Sequence, residues 1–482
     1  MIDFRPIFFV IGLMLATLAL SMTAPAVVDL VHGTSDWQVF AAAAAVTMFV
    51  GVALALTCRA DEFRFNVRSA FVLTTISWLA IAVFAALPFA FSDLDLTFTD
   101  AFFEAMSGIT TTGATVITGL DNSPPGILLW RAILQWLGGI GIIVTAIAVL
   151  PFLKVGGMQL FRMESSDTSD KAMPRAAQVA GNITMIYVAL TLLWALMLWV
   201  AGLSAFDSIA HAMTTIATAG FSTRDASIAA FQNIAVEWII IAGMLIGGLP
   251  FVLYLQAMRG SAAQLFRDSQ VRWFLIIAIG TSAMMSWWHI STNDVGLELG
   301  VRQASFNIIS NMTGTGYTTT GYDQWGGFAI TVFLLLMFVG GCAGSTSCGI
   351  KIFRFQVLYA HTAVQLRHLL VPHGVFIPYF NRRPIPEAVS ESVLSFFFVF
   401  ALSFVVLALG LGLTGLDFLT SVSAAATAIS NVGPGLGEIV GPTGNFQPLP
   451  DAAKWMLTAG MLLGRLEVFT VLIMLTPAFW RR

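Results

Sequence analysis

The sequence predicts an all-α integral membrane protein with ten transmembrane helices. Two leading helices would precede four pseudo-fourfold helix, pore-loop, helix repeats around one central pore. The first observation is composition: 57% of the 482 residues are hydrophobic and 10% are charged, and the mean hydropathy is +0.84, whereas about 25% of a soluble domain is charged. The second is a fourfold recurrence of short, glycine-containing polar segments between apolar stretches.

The apolar stretches place the helices and the repeats in order. Predicted helices cover Ile7 to Val31, Trp37 to Thr57, Ala70 to Phe91, Ile127 to Phe152, Ile183 to Leu203, Trp238 to Leu255, Trp273 to Trp288, Phe328 onward, Ser395 to Leu413 and Trp455 to Phe479. The two N-terminal helices occupy residues 1–68, and repeats one to four occupy 69–152, 153–258, 259–368 and 369–482.

Basic residues orient this layout. With the N-terminus in the cytoplasm, 18 of the 23 Lys and Arg residues fall on the cytoplasmic side, as the positive-inside rule requires. Both termini are therefore expected inside the cell. Arg131, Arg224, Arg302 and Lys454 fall outside, and Arg465 lies in a span. Most carboxylates also face outward, which predicts a negative outer vestibule that concentrates cations; they are Asp36, Asp93, Asp95, Asp121, Asp294, Glu298, Asp323 and Asp451.

The most polar recurrent segment is NMTGTGYTTTGY, from Asn311 to Tyr322. Counting from its Gly316, related segments run from Asp100 to Gly113, from Asp207 to Gly220 and from Thr420 to Gly433, and the successive glycines are 107, 96 and 117 residues apart. About ten helix-compatible residues precede the small ones in each segment, enough for half a bilayer, so we predict re-entrant pore helices. Asp100 and Asp207 are predicted N-caps, and the C-terminal dipole ends would face a cation.

These segments resemble the threonine-glycine-tyrosine filter of potassium channels, where loop oxygens replace the ion's hydration shell. Four such loops can close a ring, although Gly, Ser and Thr also mark ordinary helix contacts in membranes. The candidate filter residues are Thr110, Thr111, Thr112, Gly113, Thr218, Ala219, Gly220, Thr313, Gly314, Thr315, Gly316, Asn431, Val432 and Gly433. Because the loops are unequal, we expect looser coordination than four identical loops would give.

The second helix of each repeat carries a glycine-containing triplet that favours close packing. The triplets are Leu137-Gly138-Gly139, Ile246-Gly247-Gly248, Val339-Gly340-Gly341 and Leu463-Gly464-Arg465. In repeat three the triplet opens into GGCAGSTSCG, residues 340–349, which interrupts an apolar helix near mid-membrane. Such breaks occur where they line a cavity. We predict a mobile gating loop that includes Gly340, Gly341, Gly344, Ser345, Thr346, Ser347 and Gly349; a static kink is the alternative.

Arg465 is the second predicted element of the gate. A buried arginine in a span normally faces the protein interior, and Arg465 replaces the second glycine of the triplet, so it would point towards the pore axis and oppose cation passage. The alternative is a structural partner for Glu467 or for free carbonyls of the interrupted helix. Glu467 does not share the face of Arg465 on one helix, which disfavours that pairing.

Other polar residues have simpler interpretations. Glu104 and His211 both lie nine residues before their glycine, where we expect packing or polar support behind the filter. Cys342 and Cys348 are interpreted as small loop residues, and three cysteines in all indicate neither disulfides nor zinc. No phosphate-binding glycine fingerprint opens a helix after a strand. Any nucleotide would therefore bind a partner.

The four glycine loops, GGCAGSTSCGIK and LLGRLE together resemble the bacterial TrkH-type potassium uptake subunit of the Trk/Ktr/HKT superfamily, over essentially the whole chain. The resemblance implies uptake of K+ across the bacterial inner membrane, filter glycines at 113, 220, 316 and 433, and a gate formed by residues 340–349 and Arg465. It also implies a homodimer with a cytosolic TrkA-like ring that binds ATP, ADP or NAD(H). Membrane lipid would surround the chain, with no covalently bound cofactor and no nucleic-acid partner. Passive flux and proton-coupled symport both stay open.

Two other functions are compatible with parts of the pattern. A potassium-binding subunit of a Kdp-type pump would need an ATPase partner. An intramembrane lipid-modifying enzyme would need clustered Asp, His or Arg near a membrane interface, whereas the predicted spans contain almost no ionisable residues.

Overall fold

The computed structural model describes residues 3–59, 67–148 and 172–481, and this part of the chain is mostly helical. The α-helices are Arg5–Ser21, Thr23–His32, Trp37–Thr57, Val67–Phe91, Phe98–Ile109, Pro125–Ala148, Ala172–Val200, Ala205–Ile216, Ile234–Gly247, Phe251–Gln256, Ala263–Arg267, Ser269–Asn293, Leu297–Thr313, Gly327–Leu336, Ile352–Leu370, Glu387–Leu413, Phe418–Ser430, Asp451–Arg465, Phe469–Leu472 and Pro477–Trp480. Two short strands, Tyr379–Phe380 and Arg383–Pro384, pair in antiparallel orientation.

Within the described residues, seven helices are long and apolar enough to cross a membrane, or nine if two bent pairs each count as one span. The bent pairs are Ile234–Gly247 with Phe251–Ser261, at 91°, and Asp451–Arg465 with Phe469–Leu475, at 106°. The predicted span from Phe328 starts as the short apolar helix Gly327–Leu336, so it does not meet the length criterion for a span. The chain is a multi-pass membrane protein, and the count of ten remains a prediction.

The predicted repeat boundaries relate to this structure in different ways. The boundary between residues 152 and 153, with the end of the preceding predicted helix, lies outside the described residues. The boundary at 68/69 lies in the first turn of Val67–Phe91, and that at 368/369 lies two residues before the end of Ile352–Leu370. Both of these predicted boundaries therefore fall inside a helix and not between two helices.

Four short helices occupy the middle of the protein, and their C-terminal halves are buried. We call Phe98–Ile109, Ala205–Ile216, Leu297–Thr313 and Phe418–Ser430 central helices 1 to 4, and the segments 110–116, 217–223, 314–320 and 431–437 that follow them central loops 1 to 4. The helices after these loops, which we call return helices 1 to 4, are Pro125–Ala148, Ile234–Gly247, Gly327–Leu336 and Asp451–Arg465.

The N-termini of central helices 1 and 2 correct one prediction. Asp100 and Asp207 are not the N-caps; Thr97 and Ser204 are, three residues earlier. The Thr97 hydroxyl accepts from the Asp100 N–H at 3.2 Å and donates to the Asp100 carboxylate at 2.7 Å. Asp100 therefore occupies the third helical position and holds the hydroxyl of the true cap, Thr97, in place. Asp207 makes the same pair of bonds with Ser204.

The two leading helices pack tightly on each other and against repeat one. A Cβ atom on Gly12 would lie 2.6 Å from the Gly51 carbonyl oxygen, and one on Gly51 would lie 2.8 Å from the Gly12 oxygen. Asp29 accepts a hydrogen bond from the Gly126 N–H at 2.7 Å. This hydrogen bond from the first turn of return helix 1 to the Asp29 carboxylate therefore connects the leading helices to repeat one.

We expect Gly51→Val to lower the free energy of unfolding by about 1–3 kcal/mol, because the new side chain collides with backbone that cannot rotate away. Thermal unfolding in detergent measures the change. Gly280→Val is the matched control, since Gly280 lies in a helix with nothing within 4 Å of the position of its Cβ. Equal melting temperatures for the two variants would contradict the close contact.

Candidate functional site

All four central helices end in the same turn. The N–H of the residue before each glycine bonds to the carbonyl five residues earlier: Thr112 to Ser107 at 2.9 Å, Ala219 to Thr214 at 3.0 Å, Thr315 to Ser310 at 2.9 Å and Val432 to Thr427 at 3.1 Å. The residue two before each glycine is left-handed, with φ of 54° at Thr111, 47° at Thr218, 70° at Gly314 and 52° at Asn431. This is a Schellman motif, and it turns each loop in the same way.

The four glycines that follow these turns meet in a closed ring. A Cβ atom added to each would lie within 3.0 Å of the carbonyl oxygen that precedes the next glycine: Gly113 faces Ala219, Gly220 faces Thr315, Gly316 faces Val432 and Gly433 faces Thr112. The glycines also have φ between 82° and 110°, a region that favours glycine. The structure thus brings all four predicted glycines and their carbonyls together in the cyclic order 1, 2, 3, 4. We call this arrangement the glycine ring.

The side chains around the glycine ring are not equivalent. In loops 1 and 3 the hydroxyls three and one before the glycine bond to each other, Thr110 to Thr112 at 2.8 Å and Thr313 to Thr315 at 2.7 Å. Loop 2 has Ala217 and Ala219 at these places. In loop 4 the Asn431 amide donates to Thr112 Oγ1 at 2.9 Å.

Buried polar groups support the ring from behind. Glu104 accepts from Arg131 at 2.8 Å, from the Val116 N–H at 2.9 Å and from Thr115, and His211 contacts Ser222 at 3.0 Å. Polar support, which we predicted for Glu104 and His211, is confirmed. Since Arg131 also donates to the Ser222 carbonyl at 2.7 Å, this network joins loops 1 and 2.

The basic residues predicted outside are all ion-paired, and two of them are buried rather than exposed. Arg131 pairs with Glu104, and Lys454 pairs with Asp100 at 2.5 Å. Arg224 lies 3.4 Å from Asp207, and Arg302 lies 2.6 Å from Glu237. A buried charge needs a partner, and the partners of Arg131, Arg224 and Lys454 belong to central helices 1 and 2. These cations anchor central helices 1 and 2.

A cavity bordered by the glycine ring has a different lining from the acidic one that we predicted for an outer vestibule. It is lined by the four glycines with Arg131, Arg224 and Asp225. Among the described residues, none of the eight carboxylates that we expected there lines it. Burial raises the pKa of Asp36 and of Asp323, with Asp93 adding repulsion at Asp36. Outward position alone therefore did not place these groups at the opening.

The repeated glycines of the return helices allow close packing under the ring. A Cβ on Gly138, Gly247 or Gly464 would lie within 3.0 Å of the carbonyl oxygen of Ile109, Ile216 or Ile429, respectively. Each of these isoleucines lies four residues before its ring glycine. The packing role predicted for repeats one and two is confirmed, and repeat four shares it.

Residues 340–349 form a folded, largely buried loop between Leu336 and Ile352. The Gly340 N–H bonds to the Ile350 carbonyl at 2.9 Å, which closes the base of the loop. Thr346 donates to the carbonyls of Gly247 at 2.9 Å and Ile216 at 3.0 Å. Of the predicted gate residues, Gly340, Gly341, Ser345, Thr346 and Ser347 are buried, whereas Gly344 and Gly349 are half-buried with φ of 77° and 71°.

Arg465 lies between this loop and return helix 1 and is 3% exposed. Its guanidinium donates to Cys348 Sγ at 2.7 Å and to the Gly138 carbonyl at 2.8 Å, and Nε has no hydrogen-bond partner. Cys348 in turn lies 3.4 Å from Thr111 Oγ1. Arg465 and the 343–349 segment line one cavity under the ring.

Sequence reasoning missed the buried ion pair between Arg354 and Glu467, which also borders this cavity. Arg354 follows the interrupted helix, where the charge pattern counted it as cytoplasmic; it is 1% exposed and lies 3.8 Å from the centre of the Phe396 ring. Glu467, at the bend of the last helix pair, has φ of 59°. The pair connects the broken helices of repeats three and four.

Several known proteins are similar to this chain in sequence or fold over nearly the whole length of both proteins. The family model TrkH, described as "Cation transport protein", matches residues 36–482. The "Trk system potassium uptake protein TrkI" of Halomonas elongata is 45% identical over 99% of this chain and 97% of its own length. The "Trk system potassium uptake protein TrkH" of Salmonella typhimurium is 38% identical over 99% of each chain.

A solved structure agrees with these relatives. The crystal structure of the potassium transporter TrkH from Vibrio parahaemolyticus superposes with a TM-score of 0.92 at 37% identity, covering 100% of both chains. A family model that matches over nine-tenths of the chain and several full-length relatives all lead to one assignment. The chain belongs to the TrkH family of cation transport proteins, whose members are transporters and not enzymes.

Proposed function

We propose that this protein takes up K+ across the bacterial inner membrane through the glycine ring, which acts as the selectivity filter. The observation that carries the proposal is the cyclic contact of each ring glycine with the carbonyl of the next loop. Backbone carbonyls arranged around one axis can replace the hydration shell of a cation. Potassium is the ion named for the two full-length relatives and for the solved structure.

The filter consists of the fourteen residues predicted from the sequence, from Thr110–Gly113, Thr218–Gly220, Thr313–Gly316 and Asn431–Gly433. The carbonyls that precede the glycines supply the ring oxygens. All four central helices direct their C-termini at this place, and the negative ends of the helix dipoles favour a cation there. K+ is the cargo, and the mechanism needs no covalently bound cofactor.

The architecture in this proposal has ten spans in four pseudo-equivalent repeats after two leading helices. The two bent pairs each form one span, and Gly327–Leu336 with Ile352–Leu370 forms a span broken by the 340–349 loop. The shared Schellman turns and the cyclic glycine contacts support fourfold symmetry. The basic bias places both termini in the cytoplasm.

The gate comprises residues 340–349 and Arg465, directly under the filter. A guanidinium about 6 Å from a passing cation, at an effective dielectric of about 20, raises the energy of the ion by roughly 3 kcal/mol. The hydrogen bonds of Arg465 to Cys348 and Gly138 hold this charge between the loop and return helix 1. Opening would require the loop and Arg465 to move apart.

A cytosolic TrkA-like ring that binds ATP, ADP or NAD(H) would control this gate in a homodimeric transporter. The support is the Trk system named for the relatives. Within the chain, the Arg354–Glu467 pair links Ile352–Leu370, which leads away from the gating loop, to the bend just after Arg465. Movement of that helix would therefore be transmitted to Arg465.

Purified protein in liposomes should conduct K+ or Rb+ when no substrate for an enzyme has been added. It should conduct Na+ more slowly. Membership of a cation transport family disfavours a lipid-modifying enzyme, and uptake that required an ATPase subunit would instead favour a Kdp-type pump. Flux that drives protons inward against an imposed gradient would indicate symport. Absence of K+ or Rb+ flux in all these conditions would contradict the proposed function.

Gly113→Ala should lower the K+ to Na+ permeability ratio about tenfold or more, because the methyl group would displace the Ala219 carbonyl from the ring. Bi-ionic reversal potentials measure the ratio. Gly119→Ala is the control: Gly119 is also left-handed, with φ of 72°, but nothing lies within 4 Å of its Cβ position. If the control loses selectivity equally, backbone strain rather than ring geometry is responsible.

Arg465→Ala should increase K+ flux, by up to about a hundredfold if the whole electrostatic barrier is removed. Rb+ uptake into liposomes at equal protein content measures it. Arg465→Lys retains the charge and should stay closer to the wild-type flux. Equal or lower flux in Arg465→Ala would assign the guanidinium to structural support of the loop and not to a barrier.

A further inference from the structure

Central loop 2 lacks the bonded threonine pair that braces loops 1 and 3, and loop 4 lacks it too, since the Ser430 hydroxyl has no hydrogen-bond partner. Three and one residues before the glycine, loops 1 and 3 carry bonded threonine pairs, and loop 4 carries Ser430 and Val432. Loop 2 carries Ala217 and Ala219. Its Thr214, six before the glycine, is engaged with Tyr317, whereas the equivalent Ser107 and Ser310 brace their own loops at 2.6 and 2.7 Å.

A glutamine from the neighbouring repeat makes hydrogen bonds to the backbone of loop 2. Gln135 of return helix 1 is fully buried. Its Nε2 donates to the Ala219 carbonyl at 2.6 Å, and its Oε1 accepts from the Phe221 N–H at 2.9 Å. The side-chain amide thus bonds to the backbone on both sides of Gly220. The Ala219 carbonyl is also the one that faces Gly113 in the ring, so Gln135 acts at the seam between loops 1 and 2.

The other return helices show that this glutamine is specific to one repeat. Gln135 lies three residues before the packing glycine Gly138. The corresponding residues before Gly247, Gly340 and Gly464 are Met244, Met337 and Met461, and all three are buried. Methionine therefore fits the space that this position occupies in three repeats out of four. Gln135 therefore bonds to a loop that lacks the threonine pair of loops 1 and 3, whereas loop 4, which also lacks it, bonds to loop 1 through Asn431.

We propose that Gln135 is a positioning residue that sets ion selectivity by holding the Ala219 carbonyl at the ring. This inference rests on the proposed function of the glycine ring as a filter. The hydrogen bond from Nε2 keeps the carbonyl from moving inward, and the bond from the Phe221 N–H fixes the other side of the same turn. Without them, loop 2 is free to close around a smaller ion, and Na+ replaces K+ more readily.

The test compares Gln135→Met with the wild type in liposomes, because methionine is the residue that the other repeats use. Gln135→Met should lower the K+ to Na+ permeability ratio about tenfold, the size expected for two hydrogen bonds lost from the loop. Gln135→Glu keeps the acceptor for Phe221 but loses the donor to Ala219. It should lower the ratio in the same direction if the carbonyl bond is the decisive one.

Thr191→Val is the matched control. It removes the 3.0 Å hydrogen bond that Trp136, the next residue of the same helix, donates to Thr191, and it should leave the ratio unchanged. A folded Gln135→Met protein with the wild-type ratio would overturn the inference, as would failure of both Gln135 variants to fold, which would assign the residue to the fold. Equal conduction of K+ and Na+ by the wild type would instead refute the proposed filter itself.

Discussion

Four glycines and the four carbonyl groups that face them set the geometry at the centre of this protein. Two independent constraints require glycine at each of these positions. The φ angle is left-handed, and a side chain would collide with the next loop. Since every loop contacts the next and the fourth contacts the first, no loop can move without displacing its neighbours. The Schellman turns and the Gly138, Gly247 and Gly464 contacts hold the loops from the helices on either side. The packing of the whole interior serves this arrangement.

Bringing four helix C-termini and their free carbonyls together costs energy, since partial negative charges gather in a medium of low dielectric. The protein offsets this cost at some distance, where cations are paired with carboxylates of the central helices. Two of these ion pairs are buried, Arg131 with Glu104 and Lys454 with Asp100. Loss of one member of a buried pair destabilises the protein, because the other charge is left without a partner. Their value is therefore positional, because they fix the central helices relative to the loops; in the proposed filter a cation would complete the charge balance at the ring.

Glycine positions could be predicted from the sequence because their constraints are local: a left-handed turn and a close approach both exclude side chains. The interrupted helix was visible for the same reason, since Gly and Ser cannot continue it. Pairings that depend on distant parts of the chain were not visible. The acidic residue Asp100 drew attention away from the true cap, Thr97, three residues earlier. The predicted outward position of Arg131 and Lys454 gave no sign that they are buried. Arg354 was counted as cytoplasmic because its partner Glu467, 113 residues away in the sequence, could not be recognised. The unequal loops were visible, but the glutamine that compensates loop 2 comes from another repeat.

The symmetry of the repeats ends just below the ring, and this division matches two different tasks. In the proposed function, discrimination between ions needs a fixed ring, and four similar loops that constrain one another would provide it. Opening and closing needs a part that can move without deforming the ring. In the proposed function repeats three and four supply it, because there the buried guanidinium of Arg465 contacts the loop that interrupts a helix. A symmetric gate of four identical loops would transmit its motion to all four carbonyls. In the proposed mechanism one loop and one arginine, joined to the last helix pair through Arg354 and Glu467, would change the barrier and leave the ring in place.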